Sequence, residues 1–164
     1  MELRKLDPMK DGRRVAALFL ASADFVQLTE GTQPGPAQAA AFFKGVPPGC
    51  NIELSVKVGL FEGDTLLGIA DMAFGYPGEG DAYIGLMLFA PSARGRGLGK
   101  ALLALLEEEA GARGAEQMFV SVIEANAPAR AFWLREGFMP VKRIGPVKVG
   151  AKAQMVDRMV KRLR

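Results

Sequence analysis

Hydrophobic residues recur along the chain in two periods, and the change from one period to the other separates predicted strands from predicted helices. Alternation with period two predicts a strand, and residues 51–61 show it most clearly. A spacing of three and four residues predicts an amphipathic helix, and residues 11–23 show it at Val15, Leu18 and Phe19. Both patterns therefore occur within the first third of the chain.

The same two patterns, bounded by Gly, Pro, Asn and Asp, continue to the end of the sequence. The predicted strands are residues 3–6, 51–61, 65–74, 82–89, 117–123, 138–144 and 153–160. The predicted helices are residues 11–23, 37–45, 98–111 and 127–136, with a loop at 29–36. On the helix at 98–111 we expect the buried face to consist of Leu98, Ala101, Leu102, Leu105 and Leu106.

The order of these elements predicts an α+β fold with layered helices. The Glu62-Gly63-Asp64 turn joins two alternating strands, which indicates a β-hairpin. The strand at 82–89 is apolar almost throughout, which suits a central position in a sheet. The strand, helix and strand within residues 83–123 indicate a right-handed parallel crossover. We therefore expect a mixed, mostly antiparallel sheet of six to seven strands, with helices on both faces, in a single domain spanning residues 1–164.

Composition narrows the chemistry. The chain has 164 residues, 49% hydrophobic and 24% charged, with a net charge of +3. It contains no histidine, which excludes imidazole bases, Ser-His-Asp triads and histidine metal ligands. Cys50 is the single cysteine, so neither an internal disulfide nor a four-cysteine metal site can form. We predict no metal and expect carboxylates, hydroxyls and backbone groups to carry any reaction.

The ends of the chain bear on location and partners. The first residues carry no apolar signal core, and no apolar run reaches membrane-spanning length, so we predict a cytoplasmic protein without a membrane partner. Basic residues recur from Lys142 to Arg164, but they alternate with apolar strand positions. This pattern is typical of a solvated sheet face, and we predict no nucleic-acid partner.

A glycine-rich segment between a strand and a helix is the clearest candidate for binding chemistry. Residues 94–100 read RGRGLGK. Glycines allow close backbone approach, and the first-turn amides of a helix bind phosphate. A P-loop is excluded because Arg94 and Ala101 occupy its first glycine and its Ser/Thr position. A dinucleotide fingerprint is excluded because Lys100 occupies its third glycine position.

Two motifs together resemble the GNAT acetyltransferase superfamily. The run from Arg94 to Gly99 is similar to its R/Q-x-x-G-x-G/A loop. The run from Asn126 to Trp133, followed by Gly137 and Phe138, is similar to its N-x-x-A-x-x-F-Y-x-x-x-G-F helix. The likeness is closest over residues 83–138. It implies acetyl-CoA as the acyl donor, and a splayed central strand pair with pantetheine in the gap.

The resemblance also implies which residues bind CoA. Backbone amides from Arg94 to Lys100 would hold the pyrophosphate, main-chain groups near Leu88 and Ala90 would pair with pantetheine, and an amide within residues 87–89 would face the thioester carbonyl. Arg96, Lys100 and Arg130 would either approach phosphate or point into solvent. The CoA-binding set is Leu88, Phe89, Ala90, Arg94, Gly95, Arg96, Gly97, Leu98, Gly99, Lys100, Asn126, Arg130 and Phe132.

The reaction implied by the family is direct attack of an amine on the thioester. An alkyl amine has a pKa of about 10, so a base must remove a proton at neutral pH. Asp81 is the first choice for that base, with Tyr83 as a catalytic hydroxyl near the acceptor. The alternatives are Glu79, Asp71, Glu30 and Glu124 as bases and Tyr76 as a further hydroxyl.

One position departs from the family. Trp133 occupies the place where the family often has a tyrosine that protonates the departing thiolate. The leading hypothesis is an N-acetyltransferase that acts on a small-molecule or peptide amine. The alternative is a non-catalytic acyl-CoA-binding or regulatory module of the same fold. Terminal strands in this fold can pair between subunits, so a homodimer is an arrangement that the sequence permits.

Overall fold

The computed structural model describes residues 1–163, and Arg164 lies outside the described residues. The strands are β1 Glu2–Lys5, β2 Val56–Glu62, β3 Thr65–Phe74, β4 Asp81–Phe89, β5 Gln117–Ile123, β6 Met139–Val149 and β7 Lys152–Arg162. The α-helices are α1 Pro8–Ala21, α2 Ala23–Glu30, α3 Pro36–Lys44, α4 Leu98–Ala112 and α5 Ala127–Arg135.

All seven described strands form one sheet in the order β1-β2-β3-β4-β5-β7-β6. The β4–β5 pair is parallel and the remaining neighbours within residues 1–163 are antiparallel. The β2–β3 hairpin closes at the predicted turn, with Glu62 opposite Thr65. The mixed, mostly antiparallel sheet is therefore confirmed, and β4 is its middle strand.

Helices cover both faces of the sheet, as predicted. On one face, here called the α1 face, Val15, Phe19, Val26 and Phe42 from α1, α2 and α3 pack against Ile69. On the other, the α4 face, the second core holds α4 and α5 against the sheet. Its fully buried members include Met72, Ala82, Leu102, Leu106, Met118 and Met159. Strand alternation therefore assigns each side chain of the central strands to one of two cores.

Helix α4 buries a slightly different face from the predicted one. Its buried residues are Leu98, Leu102, Leu103, Leu106 and Ala110. Ala101 and Leu105 were predicted to be buried, but both are exposed, Leu105 at 41%. The packed stripe includes Leu103 because the helix lies over β4 and β5 with that side inward. None of the described helices combines the length and hydrophobicity needed to cross a membrane.

The N-terminal helices differ from their predicted bounds. Helix α1 begins at Pro8 because Asp7 caps it, accepting hydrogen bonds from the amides of Met9 (2.7 Å) and Lys10 (3.1 Å). Helix α2 was not predicted, and it replaces the end of the predicted helix and the start of the predicted loop. It ends at Gly31, whose φ of 70° is the left-handed conformation that favours glycine at a helix end.

Two strands also differ from prediction. Strand β2 begins at Val56, because Asn51 Oδ1 accepts the Glu53 amide (3.0 Å) and turns Ile52–Leu54 into a short 3₁₀ turn. The β6–β7 hairpin is longer than predicted and turns at Gly150, where φ is 59°. The extra length brings the amide of Ala151 to Glu30 O (2.8 Å), so the hairpin tip contacts the end of α2.

The α4 packing can be tested with two leucines that lie two positions apart in the sequence. Leu103 is 1% exposed and Leu105 is 41% exposed. We expect Leu103→Ala to lower the free energy of unfolding by about 2–5 kcal/mol, because it leaves a cavity in the core. Leu105→Ala should cost about 1 kcal/mol or less. Urea unfolding followed by circular dichroism measures both, and equal losses would contradict the described helix face.

Candidate active site

A break in strand pairing opens the centre of the sheet. The parallel β4–β5 ladder covers only the first part of each strand and ends with Ile84 opposite Val120. At the next residue the β3–β4 register shifts: Met72 faces Ile84 and Asp71 faces Leu86, which leaves Gly85 as the extra residue of a β-bulge. Bulges bend a strand. Beyond this point β4 stays with β3 and separates from β5, as the predicted splayed pair requires.

The bulge leaves backbone groups of β4 facing the gap. The Ala90 amide donates to Leu67 O (2.9 Å), so Ala90 points toward β3. Because backbone groups alternate in direction along an antiparallel strand, Leu88 also points toward β3, and Met87 and Phe89 point toward the gap. The predicted pairing near Leu88 and Ala90 therefore shifts by one residue, since the Ala90 amide is already used inside the sheet.

The gap continues into a large cleft. A cavity of about 160 Å³ lies between the separated parts of β4 and β5, and a cleft of about 510 Å³ adjoins it. Both contain Phe25, Met87, Asn126, Ala129 and Trp133. The large cleft is also lined by Asp24, Leu28, Leu88, Phe89, Arg94, Gly95, Gly99, Pro128 and Phe132.

The glycine loop forms the outer end of this cleft. Gly95 and Gly97 both have φ of 75°, and a Cβ built on either would meet no atom within 4 Å. Gly97 precedes α4 and offers no side chain to its first-turn amides. A further cavity of about 330 Å³ continues outward from here and includes Leu98 and Lys100. This open loop at a helix N-terminus has the geometry that binds a phosphate group.

Three arginines near this site pair with carboxylates. Arg94 donates to both oxygens of Asp24 on α2 (2.7 and 3.3 Å) and to Phe89 O (3.1 Å). The hydrogen bonding of Asp24 with the Arg94 side chain is the main cause that lowers the pKa of Asp24. Arg96 lies 3.5 Å from Glu62, and Arg130 lies 3.4 Å from Asp157. Arg96 and Arg130 line neither cavity next to the loop.

Helix α5 forms the wall opposite α2. Asn126 caps it by accepting the Ala129 amide on Oδ1 (3.2 Å), and the side chain also lines the cleft. Trp133 is 8% exposed and stacks edge to face with Phe132 (5.0 Å) and Phe138 (5.1 Å). Phe132 in turn lies 3.2 Å from the position of a Gly99 Cβ, which explains the close approach of α5 to the loop. Trp133 is therefore an apolar wall of the cleft.

The predicted base, Asp81, lies at the opposite end of β4 from the glycine loop. Its Oδ2 accepts the Gly78 amide (3.0 Å) and its Oδ1 accepts from Gln117 (3.3 Å), so both oxygens hold the local turn together. Asp81 lines neither the cleft nor the gap. The structure therefore does not bring it to the place where β4 and β5 separate.

Asp71, one of the alternative bases, lies beside the bulge. Its Oδ2 is 2.7 Å from the position that a Gly85 Cβ would occupy. Its Oδ1 accepts from Lys57 Nζ (2.8 Å), and the two side chains are only 13% and 9% exposed. Burial raises the pKa of Asp71, and the hydrogen bond from Lys57 partly opposes that rise. Asp71 does not itself line the cleft or the gap, but it touches Gly85, which lines the gap. A buried carboxyl with a raised pKa at this position is a candidate proton acceptor.

The two predicted hydroxyls lie on the same face of the sheet as Asp71. Tyr83 and Tyr76 pack edge to face with their ring centres 5.1 Å apart. Burial raises the pKa of Tyr83, and a hydrogen bond with Ser121 partly opposes the rise. Tyr83 does not line the gap itself.

The structure thus brings most of the predicted CoA-binding residues to one cleft. Those that line it or the adjoining outer cavity are Leu88, Phe89, Arg94, Gly95, Gly97, Leu98, Gly99, Lys100, Asn126 and Phe132. Helix α2, whose residues Asp24, Phe25 and Leu28 line the cleft, was not predicted as a helix. Gly31 after an apolar segment is the one sequence signal that marks the end of this helix.

The family and the fold can now be compared with known proteins. The model of the Acetyltransferase (GNAT) family matches residues 27–138. An acetyltransferase from Thermus thermophilus superimposes with a TM-score of 0.78 at 27% identity, over 98% of this chain and 96% of that one. A GCN5-related N-acetyltransferase from Kribbella flavida gives 0.71 at 23%, over 98% and 96%. No curated protein matches by sequence.

A third structure has a named protein acceptor. The ribosomal-protein-S18-alanine N-acetyltransferase from Escherichia coli superimposes with a TM-score of 0.69 at 17% identity, over 99% of this chain and 93% of that one. At this identity the likeness shows the fold alone. The family match covers more than half of the chain and includes both the glycine loop and α5. The chain belongs to the GNAT acetyltransferase family.

Proposed function

We propose that this chain transfers an acetyl group from acetyl-CoA to an amine by direct attack of the amine on the thioester. The observation that carries the proposal is a continuous path: backbone groups of β4 released by the bulge lead to the glycine loop at the N-terminus of α4. Family membership supports the donor, since GNAT acetyltransferases use acetyl-CoA. The acceptor and the catalytic residues are our own assignments.

The residues present fit the donor from one end to the other. The loop amides around Gly95 and Gly97 would bind the pyrophosphate. The Met87 backbone and the Phe89 amide would bind pantetheine as an added strand would, since Phe89 O already accepts from Arg94. When bound, acetyl-CoA supplies an activated acetyl thioester at the gap. The Met87 amide would donate to the carbonyl oxygen as negative charge develops there, as an oxyanion hole does.

Asp71 is our choice for the base, in preference to Asp81. It lies beside Gly85, where the gap opens, and its raised pKa makes it a better proton acceptor than an ordinary aspartate. Asp71 accepts the proton that the amine loses while its nitrogen bonds to the acetyl carbon and the carbon–sulfur bond breaks. Lys57 holds the carboxyl in place from the other side.

The leaving thiolate needs no dedicated acid in this arrangement. Trp133 offers only an indole N–H, which does not donate its proton at neutral pH. A thiol has a pKa of about 8.5, so its anion is a tolerable leaving group and water can protonate it. Trp133 would instead keep this end of the cleft apolar.

The donor site can be tested with Gly97→Val. A β-branched residue is strained at a φ of 75°, and its side chain would occupy the loop where phosphate binds. We expect CoA affinity, measured by calorimetry, to fall by about 10- to 100-fold through lost charge-assisted hydrogen bonds. Gly63→Val is the matched control, because Gly63 has a φ of 61° in the β2–β3 turn and equally open surroundings. If both variants bind CoA equally well, the loop assignment is wrong.

The base can be tested with Asp71→Asn and its matched partner Asp81→Asn. We expect Asp71→Asn to lower kcat by about 10²- to 10⁴-fold with CoA affinity retained, because a general base contributes that much. Asp81→Asn should keep most of its activity, since an amide oxygen can still accept the Gly78 amide. Steady-state release of CoA measures both. The reverse order of effects would assign the base to Asp81.

Two further measurements separate the loss of the base from a loss of stability. Asp71→Asn leaves Lys57 as an unpaired buried charge, which is destabilising, so the double variant with Lys57→Gln removes both charges. In the wild type, kcat/KM should rise with pH as Asp71 loses its proton, with this limb above the ordinary value of 3.8. This rise of kcat/KM with pH should be absent from Asp71→Asn and from the double variant. Its persistence would show that another group takes the proton.

A further inference from the structure

A row of polar residues, here called the polar groove, crosses the α1 face near the point where β4 and β5 separate. It runs from Asp71 on β3 through Tyr83 and Ser121 to Arg158 on β7. Ser121 lies on this face because its neighbours Val120 and Val122 are buried in the α4 core. Arg158 is directly opposite Ser121 on β7, and Met159 next to it belongs to the α4 core, so Arg158 also points to the α1 face. Tyr83 hydrogen-bonds Ser121 from β4.

Arg158 differs from the other arginines near the site in its partner. Its Nη2 donates to Tyr76 Oη (2.8 Å), and its guanidinium carbon lies 5.3 Å from the centre of that ring. Within residues 1–163 no carboxylate lies within 4.0 Å of it, and its Nε is buried without a hydrogen-bond partner. The arginines that do pair with carboxylates among the described residues are Arg4, Arg14, Arg94, Arg96, Arg113, Arg130 and Arg143.

An unpaired, half-buried guanidinium whose Nε is shielded from water is costly unless an anion neutralises it. A second orphan lies nearby: Thr29 Oγ1 is also buried without a partner among the described residues, and Thr29 lines the gap together with Ser121. Thr29 Oγ1 belongs to a residue that lines the gap beside Gly85, and Arg158 lies on β7 directly opposite Ser121, which also lines the gap. These two orphaned atoms are what an acceptor would satisfy on binding.

The groove carries opposite charges at its two ends. Asp71 is at the β3 end and Arg158 is at the β7 end, with the Tyr83 hydroxyl between them. Both charges act on that hydroxyl: Arg158 lowers and Asp71 raises the pKa of Tyr83, each less than its burial does. An acceptor in this groove would meet a carboxylate at one end and a guanidinium at the other.

A bridge between the β6–β7 hairpin and α2 lies on the same face of the sheet as the groove. The β6–β7 hairpin reaches α2, where Lys152 Nζ and Gln154 Nε2 both donate to Leu28 O (3.2 and 3.1 Å). The Ala151 amide adds a third bond to the same end of α2.

We infer that the acceptor is a small amine that carries a carboxylate, such as a free amino acid, with its amine beside Asp71 and its carboxylate on Arg158. The inference rests on the proposed function and narrows its substrate. Arg158 suits this task because a guanidinium binds a carboxylate through parallel, charge-assisted hydrogen bonds. Tyr76 holds the guanidinium in position without neutralising it.

The test compares L-amino acids with their carboxamides, which differ only in the negative charge. The wild type should prefer the acid by about 10- to 100-fold in kcat/KM, the worth of a charge-assisted pair. The carboxamide has the lower amine pKa and more free amine at neutral pH, so this bias works against the prediction. In Arg158→Gln the ratio of the two rates should fall to about one. Arg158→Lys should give a ratio of acid to carboxamide between those of the wild type and Arg158→Gln. Lysine keeps the positive charge but cannot form the two parallel hydrogen bonds of a guanidinium.

Arg162→Gln is the matched control, since Arg162 is exposed at the far end of the same strand. A purely structural Arg158 would lower both rates together and leave the ratio unchanged, which would overturn the inference. Equal rates in the wild type, or a preference for a tripeptide amide, would overturn it while leaving acetyl transfer intact.

A binding measurement separates the two failures. If no amine is acetylated, the proposed function fails, and thermal unfolding with millimolar amino acid or carboxamide still tests the groove. The acid should then raise the Tm of the wild type, but not that of Arg158→Gln, and the carboxamide should raise neither. If acid and carboxamide act alike on the wild type, Arg158 does not bind a carboxylate.

Discussion

The interruption of one ladder at Gly85 is the constraint on which the rest of the site depends. A side chain at this position would collide with Asp71 Oδ2, which lies 2.7 Å from the Cβ position. Glycine therefore permits two things at once: the bulge that turns β4 away from β5, and the close approach of a buried carboxyl to the gap. The donor path and the candidate base are consequences of the same missing Cβ.

The arginines on the two sides of the gap differ in their partners: Arg94 is paired with a carboxylate, whereas Arg158 is not. On the donor side, Arg94 pairs with Asp24 and ties α2 to the end of β4. The phosphate site there relies on backbone amides and on the dipole of α4. On the acceptor side, Lys57 half-neutralises Asp71 and Arg158 has only a neutral hydroxyl. The anion position that we propose at Arg158 therefore lies on the acceptor side.

The sequence predicted the parts of the molecule that depend on local chemistry. The glycine loop and the Asn126 cap are short motifs whose function follows from their own backbone geometry, and β3 matched its predicted bounds because its turn residues define it. Side chains whose surroundings depend on distant partners were less predictable. Asp81 was chosen for its place before β4, but its role in holding the local turn depends on Gln117, 36 residues away. Asp71 gains its raised pKa from burial, which the sequence does not display.

The donor and acceptor sides of the proposed site differ in the kind of group that binds, and this difference bears on how the chain compares with similar structures. In the proposed site, main-chain amides bind the donor, and any sequence that preserves the bulge, the glycines and the helix start would preserve these amides. Side chains bind the acceptor, and each can be replaced without altering the fold. Structures with 17–27% identity therefore superimpose over nearly the whole chain while sharing few side chains. The acceptor must accordingly be inferred from the charges of this chain, in which Asp71 and Arg158 face each other across Tyr83.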